Sequence, residues 1–152
     1  MAWMAAAAPY VAVGTSLIAG RQASAAGKYN QAVYNRNAQV AEQEAAQIEK
    51  QTEFDLARFD KQFAQLQGQT KTNILFSGAE LSGSGLRILR QNAEEAELEK
   101  DIIDYNAKIG KARKFEEANF ARMQGSIARQ QAKSTALGYY ATAGTSLLRA
   151  IE

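Results

Sequence analysis

The sequence contains no cysteine, no histidine and a single proline among its 152 residues. The lack of cysteine excludes a disulfide framework, a thiol nucleophile and a thiolate metal site. The lack of histidine removes the usual neutral-pH acid or base, the usual zinc ligand and the usual activator of a serine nucleophile. What remains for catalysis is carboxylate, lysine, tyrosine and serine, so no enzyme activity, metal, cofactor or small-molecule substrate is expected. Strong net charge is lacking too. A balance of +2 does not by itself announce a nucleic-acid binder.

Charge is also missing from the two ends. Residues 1–20 and 134–148 carry no charged side chain, and apart from Arg149 and Glu152 all charge lies between these segments. Ala23-Ser24-Ala25 would suit a small-residue cleavage site, but no basic stretch precedes the apolar run and Arg21 follows it, so a cleaved signal peptide is not expected. The first segment is also a poor conventional transmembrane helix, because it is alanine-heavy and Pro9 interrupts it.

Between the ends, apolar and small residues follow a helical period. Ala41, Ala45, Ile48, Thr52, Leu56, Phe59, Phe63, Leu66, Thr70 and Ile74 step by three and four, with a mean near an eleven-residue repeat. After a Gly/Ser interval the pattern resumes through Leu98, Ile102, Tyr105, Ile109, Ala112, Glu116, Phe120, Met123 and Ile127, with Glu116 its one polar member. The sequence therefore predicts a single all-α domain in five segments: an apolar Ala/Gly-rich segment 1–27, a helical arm 28–76, a turn 77–85, a second arm 86–134 and an apolar segment 135–152. Each arm would be about 73 Å long at 1.5 Å per residue. Equal arms around one break suit a long antiparallel helical hairpin, with extra short apolar helices at both termini.

The break itself is FSGAELSGSGLRIL at 76–89. A Walker-type phosphate loop needs G-x-x-x-x-G-K-[ST] after a strand, and neither the lysine nor the strand is there. Ser77, Gly78, Ser82, Gly83, Ser84 and Gly85 are read instead as a turn. The three glycines would supply positive-φ positions, and Ser82 or Ser84 would cap a helix opening at Leu86.

Folding the chain about residue 81 sets Lys108, Lys111, Arg113, Lys114, Arg122 and Arg129 near Glu42, Glu44, Glu49 and Glu53. Such pairs help to fix register. The same basic stretch, interleaved with Phe115 and Phe120, would also suit non-specific contact with a DNA backbone. Glu94, Glu97, Asp101 and Asp104 share one helical face, a spacing that a hard cation could use and that a solvated acidic stripe explains more simply. One hairpin has a single seam and cannot bury much, so homo-oligomerisation, as a ring, is expected.

A hairpin brings both charge-free ends to one tip, where GTSLIAGR (14–21) resembles GTSLLRAI (144–151). Small residues with a few large apolar ones allow helices to approach closely in a membrane. Trp3, Tyr10, Leu17, Ile18, Leu137, Tyr139, Tyr140, Leu147 and Leu148 are the candidate membrane or partner contacts, with the aromatic residues suited to an interface.

The alanine-rich start, YNQAVYNRNAQVAEQEA in the first arm, SGAELSGSGLRILRQNAEEAELEKDIIDYNAKIGKA and the Gly/Ala-rich close resemble the small internal virion (ejection) proteins of short-tailed bacteriophages. The likeness spans about residues 25–148 and is strongest from Ser77 to Ala107. There Ser77-Gly78, Ser82-Gly83-Ser84, Ile88-Leu89, the acidic Glu94–Glu99 and Tyr105-Asn106-Ala107 match the family pattern. Many relatives have proline where this chain has Gly85. The resemblance implies a protein stored inside the capsid near the portal, in contact with the portal protein and larger internal virion proteins. It also implies expulsion into the host envelope, to help form an outer-membrane channel for the genome. A purely structural core or portal adaptor, with no membrane step, is the competing reading. A carboxylate-based wall hydrolase is weaker still, since a long hairpin offers no concave site.

Overall fold

The computed structural model describes the backbone of residues 3–78 and 83–151 and the side chains of 12–78, 83–146 and 148. Two helices account for nearly all of it: α1, Trp3–Phe76, and α2, Ser84–Ile151. Both are rich in Ala, Gln, Glu, Lys and Arg, which lose little side-chain freedom in a helix. The apolar ends do not form helices of their own among the described residues. They continue the two arms, and Pro9 stands inside α1 without ending it.

α1 stops at a glycine. Ser77 N–H donates to the Asn73 carbonyl (3.0 Å), Gly78 N–H to the Leu75 carbonyl (3.1 Å), and Gly78 takes φ 72°. The Ser77 hydroxyl donates to the Ile74 carbonyl at 2.7 Å, so the last carbonyls of α1 find donors. On the far side, Gly83 has φ 63° and its carbonyl accepts from Arg87 N–H at 3.3 Å, which makes it the capping position of α2. This corrects two expectations. Ser84 and Gly85 belong to the first turn of α2, which opens before Leu86, and Gly85 is buried with no positive φ. Ser82 lies outside the described residues.

The chain divides into two compact units, Met1–Ala41 with Glu117–Glu152, and Glu42–Glu116. In the second unit α1 and α2 form an antiparallel hairpin. Its ion pairs Asp60–Lys100 and Glu49–Lys111 are both centred on residue 80, one residue short of the expected fold point. Ala45 and Ala96 are buried there, Ile48 lies against Gly110, and the Phe59 and Phe63 rings stack at 6.4 Å between centroids. In the first unit the core is Ala38, Ala41 and Ala118 with Ala121 packed against them.

Small residues make this seam in both units. Among the described residues every buried apolar side chain is an alanine, and no large side chain is fully buried. The expected α2 stripe is corrected accordingly. Leu98, Ile102, Tyr105, Phe120, Met123 and Ile127 are exposed. The seam lies two residues earlier at each step, on Ala96, Lys100, Ile103, Ala107, Gly110, Lys114, Ala118, Ala121 and Gly125. The physical reason is distance. Alanine and glycine let two backbones come close enough for broad contact, and lysine stems cover the edges of the seam. On α1 the expected stripe is the observed one except at Leu66, which is 53% exposed while Gln67 is half-buried.

Candidate functional site

The charge-free stretches pair with each other inside the first unit, and glycine sets how closely. A Cβ at Gly20 would stand 2.6 Å from the Tyr140 ring, and one at Gly27 would overlap the Ala132 methyl. A Cβ at Gly125 would stand 3.0 Å from Tyr34 Cβ and 3.6 Å from Gln31 Cα. Ala136 and Ala143 are buried in the same unit.

The small polar residues of these stretches turn inward on their own helices. Thr15 and Ser16 donate to the Ala12 carbonyl at 3.0 and 2.9 Å. Thr142 donates to Gly138 at 3.0 Å, while Thr145 and Ser146 donate to Thr142 at 3.0 and 2.9 Å. Each of these hydroxyls is satisfied on its own helix, which lowers the cost of placing the segment against an apolar surface. Leu17, Ile18, Leu137, Tyr139 and Leu148 are exposed, while Tyr140, though partly exposed, lays its ring against Gly20. The side chains of Trp3, Tyr10 and Leu147 lie outside the described residues. Among the described residues no helix is long and apolar enough to cross a membrane.

The basic residues separate into distinct environments. Lys111 meets Glu49 at 2.7 Å and Lys114 meets Glu44 at 2.6 Å, both across the hairpin. Lys100, which the sequence reading did not single out, pairs with Asp60 at 2.7 Å. These partners are about a third to a half exposed, so each pair adds little stability and serves mainly to hold register. Lys108 does not cross the hairpin. It bonds Asp104 one turn earlier at 2.6 Å. That hydrogen bond, then the charge of Asp104, raises the Lys108 pKa, with Asp101 adding to the effect. In the first unit Arg129 donates to the Gln31 side-chain oxygen at 2.7 Å. Arg122 is also engaged. Arg113 is exposed.

The acidic stripe Glu94, Glu97, Asp101 and Asp104 does not converge. Among the described residues no group of three or more carboxylates could hold a metal ion. The grooves on the second unit are open, among them one of about 400 Å³ between Phe59, Phe63, Leu66 and Ala96. Sequence reasoning missed the Ala/Gly seam because it followed the large apolar residues. The recurrence of Ala107, Gly110, Ala118, Ala121, Gly125 and Ala132 at helical spacing was the available signal. Comparison with family models, curated proteins and solved structures finds no match.

Proposed function

We propose that this chain is a non-enzymatic internal virion protein of a short-tailed bacteriophage, one that acts as a homo-oligomer and helps to carry the genome across the host envelope. The observation that carries this reading is the make-up of the paired ends. The hydroxyls of Thr15, Ser16, Thr142, Thr145 and Ser146 are bonded to their own helices, and Leu17, Ile18, Leu137, Tyr139 and Leu148 are exposed. Such a surface suits shelter against portal or larger internal proteins in the particle and lipid contact after ejection. The resemblance over residues 25–148 supports the same reading, and so do helices that leave large apolar residues uncovered. The ring form, the passage of DNA along the basic stretch and residence in the host outer membrane belong to this proposal.

Dye release from anionic liposomes tests it, with the full-length chain compared with a fragment of residues 28–134. Release by the full-length chain alone is the expected result, and equal release by both would sink the membrane role. A second reading, a portal-docked structural adaptor, is favoured by a different observation. The small residues Gly20 and Gly27 are already used in packing one end against the other, as they would be in a segment that only docks on protein.

A further inference from the structure

Within the second unit, Leu98, Ile102 and Tyr105 are 63%, 52% and 64% exposed, and Ile109 is half-buried. Each stands two residues, roughly 200° of helical turn, beyond a seam position (Ala96, Lys100, Ile103, Ala107). The four therefore line the side of α2 turned away from its hairpin partner. Their steps of four, three and four are those of a coiled-coil seam. An open groove of about 450 Å³ runs between Leu98, Ile102, Tyr105, Asp101, Asp104 and Lys108. Glu95 before the stripe and Glu116 after it end its apolar character.

We propose that this face pairs antiparallel with the same face of a second copy of the chain, about a two-fold axis between Ile103 and Asp104. In that register Leu98 meets the second copy's Ile109 and Ile102 meets its Tyr105, and the symmetry repeats both contacts. Charge chooses the direction. Glu94, Asp101 and Lys108 edge the stripe on one side, and Glu99 and Arg113 on the other. Antiparallel pairing sets Asp101 against the second copy's Lys108, twice. Parallel pairing would set Glu94 against Glu99 and Lys108 against Arg113, two like-charge contacts. Lys108 is free to take part because its bond to Asp104 lies within its own helix and leaves the side chain exposed.

This inference rests on the homo-oligomer part of the proposed function and on no membrane step. Sedimentation equilibrium of the full-length chain in low-salt aqueous buffer tests it, with helicity by circular dichroism confirming that each variant folds. Ile102→Glu, which changes an exposed side chain, is expected to weaken association by at least about a hundredfold. Asp101→Lys or Lys108→Asp alone is expected to weaken it by about tenfold, and the double reversal to restore it. Association that none of these variants changes would overturn this face while leaving the homo-oligomer intact. A double reversal weaker than either single one would overturn the antiparallel register. A chain that stays monomeric at all concentrations would overturn both the face and the homo-oligomer.

Discussion

Gly27→Ala tests the close seam most sharply, because two opposing effects of known size meet at one atom. The added methyl would overlap the Ala132 methyl and stand 3.6 Å from its Cα and 3.7 Å from the Ala128 carbonyl oxygen. Ala132 has no rotamer to move, so relief requires the two helix segments to separate. Overpacking of this kind costs about 1–3 kcal/mol. Alanine gains about 0.8–1 kcal/mol over glycine in a helix interior, leaving a net loss of up to about 2 kcal/mol. Gly68 supplies the control, since a Cβ there meets nothing within 4 Å. Gly68→Ala is expected to stabilise by about 0.8–1 kcal/mol. The assay is urea denaturation followed by circular dichroism at one fixed protein concentration. Combining Gly27→Ala with Ala132→Gly moves the methyl across the seam and is expected to recover most of the loss. If Gly27→Ala stabilised as much as Gly68→Ala, the close approach would be refuted.

Two further outcomes follow from the turn and from Lys108. Gly78 has φ 72° and open space around it, so Gly78→Ala introduces backbone strain alone and is expected to cost about 1–2 kcal/mol in the same denaturation assay. The raised pKa of Lys108 means that the fold favours its charged form. Its contribution is full below the ordinary value of 10.5 and is lost as pH climbs through the raised folded value. Asp104→Asn is expected to bring the Lys108 titration back toward its ordinary value, read by NMR of the side-chain methylenes.

Much of the fold was legible because the helical signal is local. Composition, the three-four spacing of α1 and the glycines around residue 80 together specify two helices and one reversal. The seam on α2 was not legible from large apolar residues, since hydrophobic size and close backbone approach compete for the same interface. Here alanine and glycine hold it, and Leu98, Ile102 and Tyr105 are left outside. Charge placed Lys111 and Lys114 near acidic partners on the first arm, where the structure has them beside Glu49 and Glu44. It could not foresee that Lys108, on another face of the same helix, bonds Asp104 instead. The extra terminal helices failed for a simple reason. The alanine-rich text of both ends favours helix, so each arm runs on without a break, on the N-terminal side through Pro9.

Flotation of the purified full-length chain with liposomes, with its oligomeric mass measured in detergent, decides between the envelope role and a role confined to the particle. Co-flotation as a defined homo-oligomer is the expected result. A chain that stays in the aqueous fraction, whatever its mass, would contradict the envelope role and leave a portal-docked structural protein.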